Sequence, residues 1–224
     1  MIELREVTKV FHEGLPNELR AVDGVSLTIA PNRITVLRGP SGSGKTTLLS
    51  MIGCLARPTS GRILLHGRNL SGLPERFLTA VRRETFGFTF QRFNLIQGLS
   101  VLANVMLPAY PLAPDHGELV ARARALLARF GLKDKEAARV EWLSGGEAQR
   151  TAICRALIND PEVLIADEPT ANLDSRLSRE FMGIMDGLKA AGRTLILTSH
   201  DPEVFEADCV DRVVTLHDGA VLDP

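Results

Sequence analysis

Disulfide chemistry, membrane spans and charge bias are all missing from this sequence. Only three cysteines occur in 224 residues, Cys54, Cys154 and Cys209. They are odd in number, far apart and form no CxxC pair. That spacing argues against a disulfide framework or a thiolate zinc site, and for reduced thiols in a cytoplasmic protein. No run of about 18 apolar residues occurs, so the chain is not expected to cross a bilayer itself. The opening "MIELREVTKVF" lacks the apolar core of a secretory signal. Twenty-six Lys and Arg stand against 27 Asp and Glu, a net charge of -1. No basic face is indicated, and nucleic acid is not an expected partner.

What is present is ordinary globular material, 45% hydrophobic and 24% charged. At roughly 150 residues per domain, the length suits one large domain or one domain with an inserted lobe. Ile2, Leu4 and Val7 alternate, as do Val25, Leu27 and Ile29. Both stretches read as half-buried strands of an antiparallel region, joined by a polar connection over residues 11–24. "ITVL" at 34–37 reads as a short strand, and a helix follows with Leu48, Leu49, Ile52 and Leu55 at helical spacing. "RPTSG" at 57–61 ends that helix, and "RILLHG" reads as a further strand. From about 87 to 160 the texture turns helical. "ELVARARALLARFGL" places Leu119, Ala123, Leu126, Leu127 and Phe130 on one face, with Arg122, Arg124 and Arg129 as a solvated remainder. "VLIAD", "TLILTS" and "RVVTL" then restore strand signals; the first two are uninterrupted apolar runs suited to a parallel sheet covered on both faces. Helical stretches between them give βαβ order.

Gly39, Pro40, Ser41, Gly42, Ser43, Gly44, Lys45 and Thr46 fit GxxxxGK[ST], with Thr47 next. The stretch lies between a strand and a helix, the context that motif needs. Glycines let backbone N–H groups curl round phosphate oxygens, and the helix N-terminus adds partial positive charge. Lys45 is placed to reach the β- and γ-phosphates of ATP, and Thr46 to put its hydroxyl on Mg²⁺. "VLIADEP" supplies an acidic pair: Asp167 suits the Mg²⁺ shell, and Glu168 can orient or deprotonate a water. A second glycine stretch, "LSGGEAQR" at 143–150, also opens a helix. Its Ser144, Gly145 and Gly146 are expected to stay free to meet an anion.

With these pieces the whole chain resembles the nucleotide-binding subunit of ABC transporters. The resemblance rests on "GPSGSGKTT", "LIADEP", "LSGGEAQR", Gln91 after a strand, "ANLD" at 171–174 and His200 after a strand. It implies an α/β fold: a P-loop NTPase core, RecA-like, with a mostly parallel sheet flanked by helices. An N-terminal antiparallel β region and a helical signature lobe, inserted over about 92–160, complete one domain across 1–224. It implies that Gln91 senses Mg²⁺ and the attacking water, and that His200 contacts the γ-phosphate and holds Glu168. Asp174 would lie at a dimer seam. Phe11 would stack on adenine; the other reading is a phenylalanine packed at the end of a strand. Trp142 and the remaining histidines, His12, His66, His116 and His217, have no such context; Trp142 is expected to be a packing anchor and the histidines surface residues. The resemblance also implies that Ser144 to Gly146 meet the γ-phosphate held by a second copy, so that two chains clasp two ATP molecules head to tail as a homodimer.

"FQRFNLIQGLSVLANVMLP", "RPTSG" and "GLPNELRAV" look like the lipoprotein-release, macrolide-efflux and cell-division (LolD-, MacB- and FtsE-type) group. Arg38 before Gly39, "CLARPTSG" and "GEAQ" depart from its usual pattern. Membership implies an ATPase motor that exports or extracts lipoprotein, lipid, peptide or drug through a separate integral-membrane permease, placing the chain at the cytoplasmic face of the inner membrane. No fused transmembrane or C-terminal regulatory domain is expected. The alternative is a regulatory ATPase that signals to a membrane partner without moving a substrate. Only about 50 residues separate Gln91 from Ser144, too few for the coiled-coil insertions of DNA-repair relatives. Phe93, Leu95 and Ile96 are candidates for a greasy socket receiving the permease, or for plain loop packing.

Overall fold

The computed structural model describes residues 1–171 and 173–222. Asn172 of the "ANLD" stretch lies outside the described residues. In chain order the elements are β1 (Ile2–Phe11), β2 (Leu19–Ile29), β3 (Ile34–Arg38), α1 (Lys45–Ile52), β4 (Ser60–Leu65), β5 (Arg68–Asn69), α2 (Glu75–Thr85) and β6 (Phe86–Thr89). Then come α3 (Val101–Met106), α4 (His116–Arg129), α5 (Gly145–Leu157), β7 (Val163–Asp167), α6 (Ser175–Ala190), β8 (Thr194–Thr198), α7 (Pro202–Phe205), β9 (Arg212–His217) and β10 (Ala220–Val221). Short 3₁₀ turns occupy Leu107–Leu112, Lys133–Lys135 and Val140–Trp142.

Two sheets form. One is antiparallel, in the order β2-β1-β4-β5; the other runs β10-β9-β3-β8-β7-β6. Every pairing from β9 to β6 is parallel, and only β10 is antiparallel to its neighbour. The chain therefore has the α/β P-loop NTPase architecture. Strand periodicity explains how the large sheet is buried. Val163 and Ile165 of β7 point into an apolar cluster shared with α1 and the antiparallel sheet. Leu164 and Ala166 point the other way, into a cluster shared with α3, α4, α5 and α6. Successive side chains alternate between faces, so a continuous apolar run serves a strand covered on both sides.

Local chemistry sets the helix starts. Asp115 caps α4, Ser144 caps α5 and Asp174 caps α6, each accepting a first-turn N–H. α4 buries Leu119, Ala123 and Leu127, with Phe130 just beyond its end. Arg124 pairs with Glu136 at 2.8 Å on the wet side.

Three boundaries differ from expectation. β1 and β2 extend much further, leaving only 12–18 as the connection; bulges between Leu4 and Val10 let the pairing continue through polar sequence. α1 ends at Ile52, so Leu55 falls outside it and is half exposed. α2 was not anticipated: Leu78 and Val81 pack one face of it against the apolar cluster, but charged residues surround them in a short helix. Burial pushes the Cys54 thiol up to about 11 and Cys154 up to about 12, and raises Cys209, so the thiols stay protonated. Among the described residues no helix is long and apolar enough to cross a membrane.

Candidate nucleotide site

The phosphate loop takes its shape from glycine. Gly42 and Gly44 sit at φ 81 and φ 96, in the left-handed region. At Gly44 a Cβ would also come within 2.2 Å of the Ala21 carbonyl oxygen. Gly44 is the N-cap of α1, which has no side-chain cap and no acidic residue in its first turn. The positive end of α1 therefore faces the loop without a built-in anion.

Small-molecule sites are typically clefts of about 300–1,000 Å³, and the one over this loop measures about 540 Å³. Pro40, Ser41, Gly42, Ser43, Gly44, Lys45, Thr46 and Thr47 line it, together with Phe11, Gln91, Glu168 and His200. Gly39 contributes its carbonyl, which accepts from Lys45 Nζ at 2.7 Å; the Pro40 carbonyl accepts from the same group at 3.0 Å. Lys45 is buried, and its Nζ lies 3.7 Å from Glu168 Oε1. The Thr46 hydroxyl donates to Asp167 Oδ1 at 3.0 Å. Phe11 is 38% exposed with its ring at the cleft, so it is not the core-facing phenylalanine of the rival reading.

Glu168 is the geometric centre of the polar side. Its Oε2 lies 2.9 Å from His200 Nδ1, with the carboxylate accepting. Its backbone sits at φ 44, a left-handed conformation that costs a non-glycine residue about 1–3 kcal/mol. Thr198 holds this turn. Its hydroxyl accepts from Glu168 N–H at 2.8 Å and donates to Asp167 Oδ1 at 2.7 Å. Sequence reasoning did not single out Thr198; the available signal was a hydroxyl at the end of the strand beside β7.

The residues fit a nucleotide with a divalent cation. Ser43 Oγ is buried in the loop with no hydrogen-bond partner among the described residues, a position suited to a phosphate oxygen. Thr46 and Asp167 present two hard oxygen ligands at the loop, with Gln91 in the same cleft. No group of three or more His, Cys, Asp and Glu among the described residues could hold a metal alone. Mg²⁺ characteristically uses one or two protein oxygens and completes its shell from phosphates and water.

Ser144, Gly145, Gly146 and Asp174 do not line this cleft. The glycines instead face the segment that carries Asp174. The Gly146 position is packed against Leu177, and Gly145 faces Leu173. Asp174 spends Oδ1 on the Leu177 N–H at 2.9 Å. The start of α5 is also less free than expected. Ser144 N–H donates to the Glu147 carboxylate at 2.8 Å, and Glu147 N–H donates back to Ser144 Oγ at 3.3 Å. This reciprocal cap uses the Ser144 and Glu147 amides; those of Gly145 and Gly146 take no part in it. Gln149, buried, donates to the Pro169 carbonyl at 3.1 Å and so ties α5 to the turn that follows Glu168.

One further expectation changes. Trp142 is 72% exposed, so it is not a packing anchor. Phe86 and Phe88 of β6, with Phe90 just beyond it, line a separate groove of about 440 Å³ with Leu55, Arg82, Arg83 and Arg155. Phe93 and Leu95 are not in its wall; Leu95 packs inward, Ile96 is 51% exposed, and the Phe93 carbonyl accepts from Arg155. Arg38 lies on the surface, its guanidinium 5.3 Å from the Phe205 ring centroid and its Nε donating to Thr215 Oγ1 at 3.0 Å.

Comparison with known proteins bears on this geometry. A family model described as ABC transporter matches residues 22–171. The macrolide export ATP-binding/permease protein MacB of Hyphomonas neptunium is 45% identical over 222 residues, covering 99% of this chain and 34% of the relative. Its counterpart in Rhodospirillum rubrum is 45% identical over 224 residues, covering 100% of this chain and again 34% of the relative. The chain thus spans about one third of the length of the curated relatives it matches. Among solved structures, the dimeric ABC transporter cassette MJ0796 superimposes with a TM-score of 0.90 at 37% identity, covering 100% of this chain and 97% of that one. A dimeric post-hydrolysis state of MJ0796, bound to ADP and Pi, matches equally well. The strand–loop–helix cleft, its acidic turn and these likenesses converge: the chain belongs to the ABC transporter family, as one of its ATP-binding cassettes.

Proposed function

We propose that this chain is the ATP-hydrolysing motor of a membrane transporter. One observation carries the reading: Lys45, Thr46, Asp167, Glu168 and His200 converge on one phosphate loop, with Glu168 held 2.9 Å from His200 and 3.7 Å from Lys45. The loop amides and Lys45 bind the β- and γ-phosphates of ATP. Thr46, Asp167 and Gln91 would hold Mg²⁺, which when bound would supply positive charge against that developing on the transferred phosphoryl group. Glu168 orients and deprotonates the attacking water, and His200 fixes the Glu168 carboxylate. Phe11 offers its exposed face to the adenine. The strained Glu168 turn keeps the carboxylate aimed at the loop.

Ser144, Gly145 and Gly146 act on the ATP of a second copy. Their distance from the chain's own cleft supports that reading, as does likeness to a cassette solved as a dimer. Asp174, on the same edge, lies at the seam of the pair. The phenylalanine groove, rimmed by Arg82, Arg83 and Arg155, receives a segment of an integral-membrane permease. The chain then works as a peripheral subunit on the cytoplasmic side of the membrane. Likeness to macrolide export proteins supports export or extraction of an amphipathic cargo, such as a drug, lipid, lipoprotein or peptide, over a purely regulatory role.

The test is ATP turnover with Mg²⁺. Glu168→Gln should bind ATP and lose hydrolysis by about 10²-fold or more, the range of a general base. Hydrolysis at the parent rate would remove Glu168 from this role.

A further inference from the structure

Phe11 ends β1 at the rim of the nucleotide cleft, partly exposed. One face of its ring is already taken. The Lys9 ammonium lies over it, 5.1 Å from the centroid. That is inside the roughly 6 Å range over which an aromatic quadrupole holds a cation. Lys9 stands two residues before Phe11 on the same strand, so both side chains leave the same side of the sheet. Lys9 itself is outside the cleft wall, which Phe11 shares with Leu19 and Ala21. The ring thus stands between a cation and the cleft.

The Lys9 head is fixed in place. Its Nζ donates to the Arg57 carbonyl at 2.9 Å. Thr59 clamps the strand on either side of Lys9. The Thr59 N–H donates to the Thr8 carbonyl at 2.8 Å, and the Val10 N–H donates to Thr59 Oγ1 at 3.0 Å. Arg57 and Thr59 lie in the segment that leaves α1, the helix whose start carries the phosphate loop. Among the described residues Lys9 makes no ion pair; its charge is committed to a carbonyl and a ring.

We infer that Lys9 is a positioning residue for the base: its ammonium, fixed on the Arg57 carbonyl, backs the far face of Phe11 and keeps the near face turned to the adenine. This rests on the proposed stacking of adenine on Phe11. Two physical effects follow from the geometry. The cation restrains a ring that would otherwise turn about its side-chain bonds at the end of a strand, so less freedom is lost when a base arrives. It also draws π density toward itself, which lessens the repulsion between the near face and the π cloud of a purine. Lying outside the cleft, Lys9 acts on the base through Phe11 and leaves the phosphates to the loop.

The test is Mg²⁺-dependent binding of ATP and of inorganic triphosphate to the dilute chain, alongside steady-state turnover. Lys9→Met keeps the stem and removes the charge. It should weaken ATP binding about three- to fivefold, the scale of a cation–π contact at an exposed site. KM should rise in step while kcat holds, because the contact is the same in ground and transition states. Inorganic triphosphate should bind as before, which also shows that the loop is folded. Lys9→Arg should recover most of the ATP affinity. In a Phe11→Ala chain, itself weakened for ATP, Lys9→Met should add nothing further. Affinity lost for ATP and triphosphate alike would make Lys9 a structural or phosphate-side residue and overturn the inference. An undiminished effect of Lys9→Met in the Phe11→Ala chain overturns it too, as does parent-like ATP affinity in Lys9→Met where Phe11→Ala is weakened. Unchanged ATP affinity in Phe11→Ala instead removes the stacking beneath it.

Discussion

Thr198 joins Asp167 to the Glu168 turn through a single hydroxyl, donating to the Asp167 carboxylate and accepting from the Glu168 amide. Thr198→Val keeps the shape and removes both bonds. The Glu168 N–H then loses its partner in a half-buried turn, at about 1–3 kcal/mol. We expect a lower melting temperature and a larger fall in ATP turnover than in ATP affinity, with Thr198→Ser restoring both. Glu147 gives a pH prediction. The Ser144 amide, and then Lys135, hold its carboxyl down to about 2. A folded pKa below the unfolded one stabilises above the unfolded value near 4.5, and that stability is lost as pH falls toward 2. Glu147→Gln can still cap but carries no charge. It should cost about 0.3–1 kcal/mol at pH 7, a difference that denaturant titrations should find shrinking below pH 4.5. The gathering of residues from ordered motifs, Gly39 to Thr47, Asp167, Glu168 and His200, at one loop was legible because their order and spacing follow a recognisable pattern. Thr198 could not, since a strand threonine looks like any other. Trp142 was misread because residue type predicts burial only on average.

Elements were legible where periodicity was strong. The apolar runs of β7 and β8 announced a sheet covered on both faces, and the stripe on α4 announced a packed helix. Bulged pairing hid the length of β1 and β2, and α2, a short charged helix with only Leu78 and Val81 packed inward, stayed silent. The α5 start carries the prediction at this scale. Gly146 sits against Leu177 of α6, and Gln149 binds the Pro169 carbonyl, so α5 and the Glu168 turn are fixed to one another. A pair formed through α5 is thereby coupled to each chain's own carboxylate. Ser144→Arg places bulk and a long side chain at the α5 cap, outside the chain's own cleft. It should abolish ATP-driven pairing while ATP titration of the dilute chain gives nearly the parent affinity. Collapse of that affinity would mean that the "LSGG" stretch serves its own nucleotide.

At the scale of the molecule, two concave surfaces lie on one cassette: the nucleotide cleft and the groove of Phe86, Phe88 and Phe90. β6 connects them, carrying Phe86 and Phe88 on its length and leading to Gln91 in the cleft. Movement of a segment seated in the groove would thus reach the nucleotide through a short, hydrogen-bonded strand. Leu55, half exposed at the groove, is the least disruptive place to test this. Leu55→Glu should leave ATP hydrolysis by the isolated chain largely intact and abolish binding to the proposed permease. The groove was only partly legible in sequence, because alternating phenylalanines on a strand read equally well as core. The paired assembly is the claim on which the rest depends, and sedimentation of the Glu168→Gln chain with and without ATP tests it most directly. The account predicts one chain per particle without nucleotide and two with ATP bound; a particle that stays a single chain at saturating ATP would contradict it.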